Sequence, residues 1–284
     1  MSIPMRIPVG GERRRVATLL EGPSGWGECS PLPGYACDPE LARRAAEEAA
    51  GGRWPRAVRQ RVPVNGLVPD VPPAEAFMLA ANLAGEGTTT VKVKVGHGDD
   101  AGRVAAVREA MGPTAKLRVD ANQAWDIDHA TSMLRRLARY DLELAEQPVA
   151  TLDDLALLRR RVPVPLAADE SVRSVDEARR LAHLHAADAV VVKVQPLGGL
   201  AAAVAVVEAA GVPAVVSSLL ETSVGLAAGL ALAAALPELP YACGLGTATL
   251  LAGDVVVEPL VPVRGVLELR RPVPEPSLLQ KWQA

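Results

Sequence analysis

Five ionisable residues, Lys94, Asp120, Glu146, Asp169 and Lys193, follow one another at intervals of 26, 26, 23 and 24 residues, each at the end of a short apolar run. Three carboxylates side by side in a partly buried site repel one another unless a cation neutralises them or their protons return. A hard divalent metal resolves that conflict. Ligands made only of oxygen, with no histidine or cysteine beside them, favour Mg2+, with Mn2+ as its substitute, over zinc. Taken singly, Asp120 would serve an Asx turn, Asp169 a helix cap and Glu146 a surface ion pair. Three such coincidences at matching places do not explain the pattern. Only five of the 30 basic residues are lysines; two of them, Lys94 and Lys193, belong to this set, and a third, Lys92, stands two residues before Lys94. Lys92 and Lys94 are two apart on one strand and point the same way, so their repulsion near a metal favours a neutral amine able to act as a base. The chemistry implied is metal-assisted removal of a proton from the carbon next to a carboxylate, with the developing charge stabilised electrostatically.

Such a constellation needs a scaffold that ends several strands at one rim. From residue 61 to 245 the chain repeats a unit of a short β-branched run followed by an Ala/Leu-rich amphipathic stretch. Candidate strands fall at 62–65, 91–95, 117–120, 142–146, 164–169, 189–193, 214–217 and 241–245. Eight units of about 24 residues fit an α/β fold, a (β/α)8 TIM-type barrel whose active site gathers at the C-terminal ends of the strands. Strands two and six then face each other, with Lys94 and Lys193 on either side of the acids. Residues 14–21 and 26–30 read as a hairpin across Gly22-Pro23-Ser24-Gly25, residues 39–50 as a helix and residues 254–270 as short strands. The expected organisation is residues 1–60 as the first part of a small α+β capping domain, 61–250 as the barrel, and 251–284 as a return to the cap. Its Pro-rich tail from 272 is expected to be irregular.

A net charge of −3 and 3% aromatic residues offer nucleic acid neither attraction nor stacking. The most apolar stretch, 226–236, is about half of the ~20 residues a membrane span needs. The N-terminus lacks a secretory apolar core, and three cysteines form no CxxC pair, so a reducing cytoplasm is expected. A small-molecule carboxylate is the expected partner, without nucleic acid, membrane or an obligate protein. Gly96-His97-Gly98 looks like a nucleotide loop, but Asp99 and Asp100 would repel a phosphate and suit helix capping. Gly198-Gly199 and Ser217-Ser218, at the ends of strands six and seven, offer close backbone approach to an anionic ligand or ordinary tight turns.

Lys92-Val93-Lys94, Asp120-Ala121-Asn122, Glu146-Gln147-Pro148, Asp169-Glu170-Ser171 and the later Lys193 resemble, in order and spacing, the muconate-lactonizing subgroup of the enolase superfamily. The segments 217–225 and 241–254 look most like its o-succinylbenzoate synthases, particularly the actinobacterial kind. The resemblance implies a lyase of menaquinone biosynthesis, with Lys94 as the base that also protonates the leaving hydroxyl and Lys193 as a protonated stabiliser. It implies Asp120, Glu146 and Asp169 as Mg2+ ligands, with Lys92, Arg118, Asn122, Glu170, Gly198, Ser217 and Ser218 as supporting or substrate-binding candidates. Residues 27–34 and the loop before Gly11, in a cap shorter than is usual for the superfamily, are where substrate choice is expected to be set. An N-succinylamino-acid racemase on the same scaffold shares the first proton abstraction. A Schiff-base aldolase would not need the three acids, and a pure binding scaffold would not need acids and lysines together.

Overall fold

The computed structural model describes residues 1–10 and 13–284, so Gly11 lies outside the described residues, while the segment before it, expected as a loop, is a strand. Three antiparallel strands open the chain: β1 (Ser2–Gly10), β2 (Arg13–Gly22) and β3 (Gly25–Cys29), in the order β1-β2-β3. The hairpin expected from the Gly22 to Gly25 turn joins β2 to β3. Strand β1 is one that the sequence pattern does not announce, because Pro4 and Pro8 interrupt it; it lies at the sheet edge, where proline is tolerated. Helix α1 (Pro39–Ala50) packs on this sheet, with Asp38 accepting from the Glu40 amide and Pro39 in the first turn. The approach is close enough that a Cβ on Gly27 would stand 1.9 Å from the Ala46 carbonyl oxygen.

Two short strands follow, β4 (Arg61–Pro63) and β5 (Gly66–Val68), then α2 (Pro73–Gly85), β6 (Thr90–Lys94), α3 (Asp100–Met111), β7 (Lys116–Asp120), α4 (Ile127–Leu137) and β8 (Leu142–Glu146). The alternation continues through α5 (Leu152–Arg159), β9 (Leu166–Ala168), α6 (Val175–Leu184), β10 (Ala189–Val192), α7 (Val194–Leu197), α8 (Leu200–Ala210), β11 (Ala214–Val216) and α9 (Ser223–Ala235). Strands β5 to β11 form one parallel seven-stranded sheet in chain order. The helices start where short polar side chains satisfy free amides: Asp99, Asp126, Thr151, Ser174 and Thr222 each accept from the first turn.

The sheet buries both faces. Val190 and Val192 belong to the large core shared with the helices, while Ala189 and Val191 pack with Leu144, Ala167, Val215 and Tyr241 on the opposite face. The strand expected first, at 62–65, is divided: β4 pairs antiparallel with β12 (Val266–Glu268), and the parallel sheet begins at β5. The one expected at 241–245 makes single bridges only, Ser217 to Gly244 and Val64 to Cys243, which link the end of β11 to the residue just after β4. Of the short strands expected at 254–270, β12 is the one that forms.

The tail corrects another expectation. Residues Pro276–Trp282 form helix α10, whose Leu279 and Trp282 pack on Met5, Ile7 and Val255, and Gln283 bridges to Met5. Proline at the first turn of α10 is compatible with helix, which the Pro-rich composition concealed.

Cap and sheet meet through buried carboxylates. Glu28 accepts from the Thr222 and Gly225 amides and the Ser30 and Thr222 hydroxyls, so a β3 side chain caps α9. Glu221 accepts from the Leu219 amide at 2.6 Å, and burial, then the neighbouring Glu28, pushes its carboxyl up to about 7. Two tests follow. Gly27→Ala should cost about 1–3 kcal/mol of stability by overpacking, read by urea unfolding; an unchanged midpoint would mean that α1 sits farther from β3. Glu221 ionises in the unfolded chain near 4.5 but in the folded one near 7. Its contribution is therefore present below 4.5 and lost as pH rises through 7, and Glu221→Gln should flatten that decline. Parallel stability profiles for the two proteins would count against it.

Candidate active site

Strand parity decides which side chains meet. Lys94, Asp120 and Glu146 are direct neighbours in register at the ends of β6, β7 and β8, so all three point to one face. Glu146 pairs with Ala167 and Ala167 with Ala189, which sets Asp169 two residues and Lys193 four residues beyond a straight register line. The five are therefore not level along the hydrogen-bonding direction, as equal spacing suggested. A climb of four residues over four strand steps averages one per strand, the stagger that keeps side chains level on the axis of an eight-stranded barrel of shear eight.

The lysines hold the acids. Lys92 Nζ reaches Asp120 Oδ2 at 2.9 Å and Glu146 Oε1 at 2.8 Å. Lys94 Nζ lies 2.7 Å from Asp120 Oδ2 and 2.5 Å from Asn122 Oδ1, and the Asn122 amide group donates to Glu170 Oε1 at 2.8 Å. Lys193 is paired with Asp169. Burial alone would lower the Lys92 and Lys193 ammonium groups, but Asp120 and Glu146 beside the first, and Asp169 and Glu146 beside the second, outweigh it and hold both above the usual lysine range. The neutral amine expected from Lys92–Lys94 repulsion is therefore not Lys92, which two carboxylates keep charged. Burial works against the Asp120 carboxylate, yet Lys92 and Lys94 pull it well below its ordinary value. Glu146 goes the other way: burial, then Asp120 and Asp169, push it up to about 7.

Gln147 fixes the turn between the acids. Its Oε1 accepts from the Asp169 and Ser171 amides at 2.7 and 3.2 Å, and its Nε2 donates to the Val149 carbonyl. Asn122, Gln123 and Gln147 all have positive φ, at 44, 68 and 37°, so the backbone is strained just past two of the carboxylates.

These groups open into a cavity of roughly 760 Å3 whose remaining wall is largely apolar, with Leu32, Leu67, Leu83, Leu219 and Leu220. At its polar end Asp120, Glu146 and Asp169 stand among Lys92, Lys94 and Lys193, while Glu86 and Arg264 also line the cavity. Among the described residues no three acid, histidine or cysteine side chains are grouped closely enough to hold a metal ion as they stand. The donor chemistry nevertheless fits a hard cation. Asp120, Glu146 and Asp169 offer oxygen donors at one end of the cavity, and Glu170 Oε2 nearby is buried with no hydrogen-bond partner.

Ser217 and Ser218 line the cavity, and Ser218 Oγ donates to the Gly244 carbonyl at 2.7 Å. Two candidates lie elsewhere. Arg118 is buried on the inner face below Lys92 and Asp120, paired with Glu143 at 2.6 Å and stacked on Tyr241, outside the cavity wall. Gly198 approaches Leu41, and at its neighbour Gly199 a Cβ would strike Glu48. The Leu200 and Ala201 amides donate to Glu48, so the carboxylate near this glycine pair is the protein's own. Sequence reasoning missed Tyr35, from the loop between β3 and α1. Its hydroxyl donates to Asp169 Oδ1 at 3.0 Å, and its ring lies 4.3 Å from Lys193 Nζ.

Residues 76–274 match the family model described as enolase C-terminal domain-like, and residues 1–50 match the enolase N-terminal domain-like model. An o-succinylbenzoate synthase of Thermobifida fusca is 53% identical over 95% of this chain and 86% of its own length. One from Mycobacterium marinum is 45% identical over 99% and 86%. The fold matches that of muconate lactonizing enzyme from Pseudomonas putida with a TM-score of 0.89 over 100% of this chain and 98% of the other, at 22% identity. With a paired-lysine strand, three strand-end acids and a facing lysine in one cavity, the chain belongs to the o-succinylbenzoate synthase family of the enolase superfamily.

Proposed function

We propose that the chain dehydrates 2-succinyl-6-hydroxy-2,4-cyclohexadiene-1-carboxylate to 2-succinylbenzoate, a hydro-lyase step of menaquinone biosynthesis in the cytoplasm. The observation that carries this reading is the placement of Lys94 and Lys193 on strands separated by the three that bear the acids. We read the parallel sheet with segment 241–245 as a closed eight-stranded barrel, residues 1–60 and 251–284 as its cap, and 61–250 as the barrel; the bridges at Val64 and Ser217 support the closure.

In this reading Asp120, Glu146 and Asp169 hold a divalent metal, Mg2+ with Mn2+ as substitute. When bound, the metal acts as a Lewis acid toward the substrate carboxylate. Lys94 is the better base of the β6 pair: its side chain is 29% exposed, against 11% for Lys92, and it faces the cavity with fewer carboxylate partners. Its amine takes the proton from the carbon beside the carboxylate. The same group then delivers that proton to the departing hydroxyl on the same face, so the C–H and C–O bonds break, water leaves and the ring becomes aromatic. Lys193 stays an ammonium and stabilises the developing negative charge. Asn122 orients Lys94, Glu170 holds Asn122, and Ser217 and Ser218 offer polar contacts for the distal end of the substrate.

An ultraviolet assay with the cyclohexadiene substrate should show loss of diene absorbance with Mg2+ and none after EDTA. Turnover of N-succinylamino acids in place of this substrate would point instead to a racemase. Lys94→Ala should lower kcat by about 10^3-fold or more, at the upper part of the general-base range, with Mg2+ affinity retained. Near-normal turnover would remove Lys94 as the base. Asp169→Asn should weaken Mg2+ binding sharply in a metal titration, and an unchanged titration would strike it from the ligand set.

A further inference from the structure

Lys193 Nζ has three N–H bonds to place, and the structure accounts for two. One goes to Asp169 Oδ2, and one reaches the Tyr35 hydroxyl at 3.2 Å. The Tyr35 O–H is donated to Asp169 Oδ1 at 3.0 Å, which leaves the phenol oxygen free to accept from the ammonium. Ammonium, carboxylate and phenol thus form a closed ring of hydrogen bonds, with the aromatic face 4.3 Å from Nζ. Burial, and then Asp169, push the phenol far above its ordinary range, so it remains a donor. Lys193 is 7% exposed and Asp169 2%, while the tyrosine sits between them and the loop that carries it. Within that loop the Tyr35 amide donates to the Leu32 carbonyl and the Cys37 amide to the Tyr35 carbonyl, which turns the chain on either side of Tyr35, and Leu32 itself lines the cavity.

We infer that Tyr35, brought from the N-terminal segment, is a positioning residue: it fixes the Lys193 ammonium so that the third N–H is aimed into the cavity where substrate charge develops. This rests on the dehydration reading. The loop between β3 and α1 then contributes to rate and not only to the shape of the cavity.

The test uses the full-length, Mg2+-loaded enzyme with the cyclohexadiene substrate, comparing wild type, Tyr35→Phe, Lys193→Ala and the double variant. Tyr35→Phe keeps the ring over Lys193 and removes only the hydroxyl. It should lower kcat by about tenfold, the order expected for one hydrogen bond near a charge, with KM within about twofold and an unchanged melting temperature. In the double variant the phenol has no ammonium to orient, so its kcat should equal that of Lys193→Ala alone. Calorimetric binding of 2-succinylbenzoate should be equal in wild type and Tyr35→Phe, which separates orientation from ground-state affinity. A Tyr35→Phe kcat within twofold of wild type, a loss confined to KM or product affinity, or losses that multiply in the double variant would each overturn the assignment. Absence of turnover by the wild type would overturn the dehydration reading, and this one with it.

Discussion

Everything at the centre of this molecule depends on balancing negative charge that has been taken out of water. Asp120, Glu146 and Asp169 are each at most 5% exposed, yet they face the same cavity. Isolated carboxylates at such a place would not stay ionised. Lys92, Lys94 and Lys193 pair with these acids, and Glu146 is the one whose carboxyl rises, to about 7, through burial and then the neighbouring Asp120. A site built this way is poised for a cation and for a carboxylate substrate together. A divalent metal held by these acids would add positive charge to that balance and supply a Lewis acid for a substrate carboxylate.

The parallel sheet makes that arrangement affordable in backbone terms. A strand end needs no side-chain entropy to place its Cβ, and successive strands in register deliver side chains to one face without a loop having to fold around them. What loops do here is stiffen: Gln147 spans from the end of β8 to the Asp169 and Ser171 amides. The left-handed residues Asn122 and Gln147 hold the turns in conformations that only surrounding hydrogen bonds maintain.

Much of this was legible in the chain itself, for identifiable reasons. Helix α1 begins and ends where expected because Asp38-Pro39 is a strong start signal and the Ala-rich stretch stops at Gly51-Gly52. The ends of β7 and β8 are marked by the change from apolar run to acid, which is the site itself. Strand β1 and helix α10 were hidden because proline disguises an edge strand and a helix start alike. The last parallel segment, 241–245, pairs through single bridges, so its apolar pattern overstates its regularity. Tyr35 was beyond reach for another reason. Its partner Asp169 lies 134 residues away, and no local period links a loop aromatic to a strand-end acid. Gly198-Gly199 left close approach to an anionic ligand and an ordinary tight turn both open, and the sequence could not reveal that the protein's own Glu48 lies there.

That last contact changes what the start of α8 can offer. The start of a helix following a barrel strand attracts phosphate through its free amides and its dipole. Here the first amides of α8 are already bonded to Glu48, a side chain 8% exposed and carried in from α1. A phosphoryl group arriving at that helix would find its seat taken by a fixed negative charge. At this helix the fold uses a common phosphate-anchoring point to join α1 to α8.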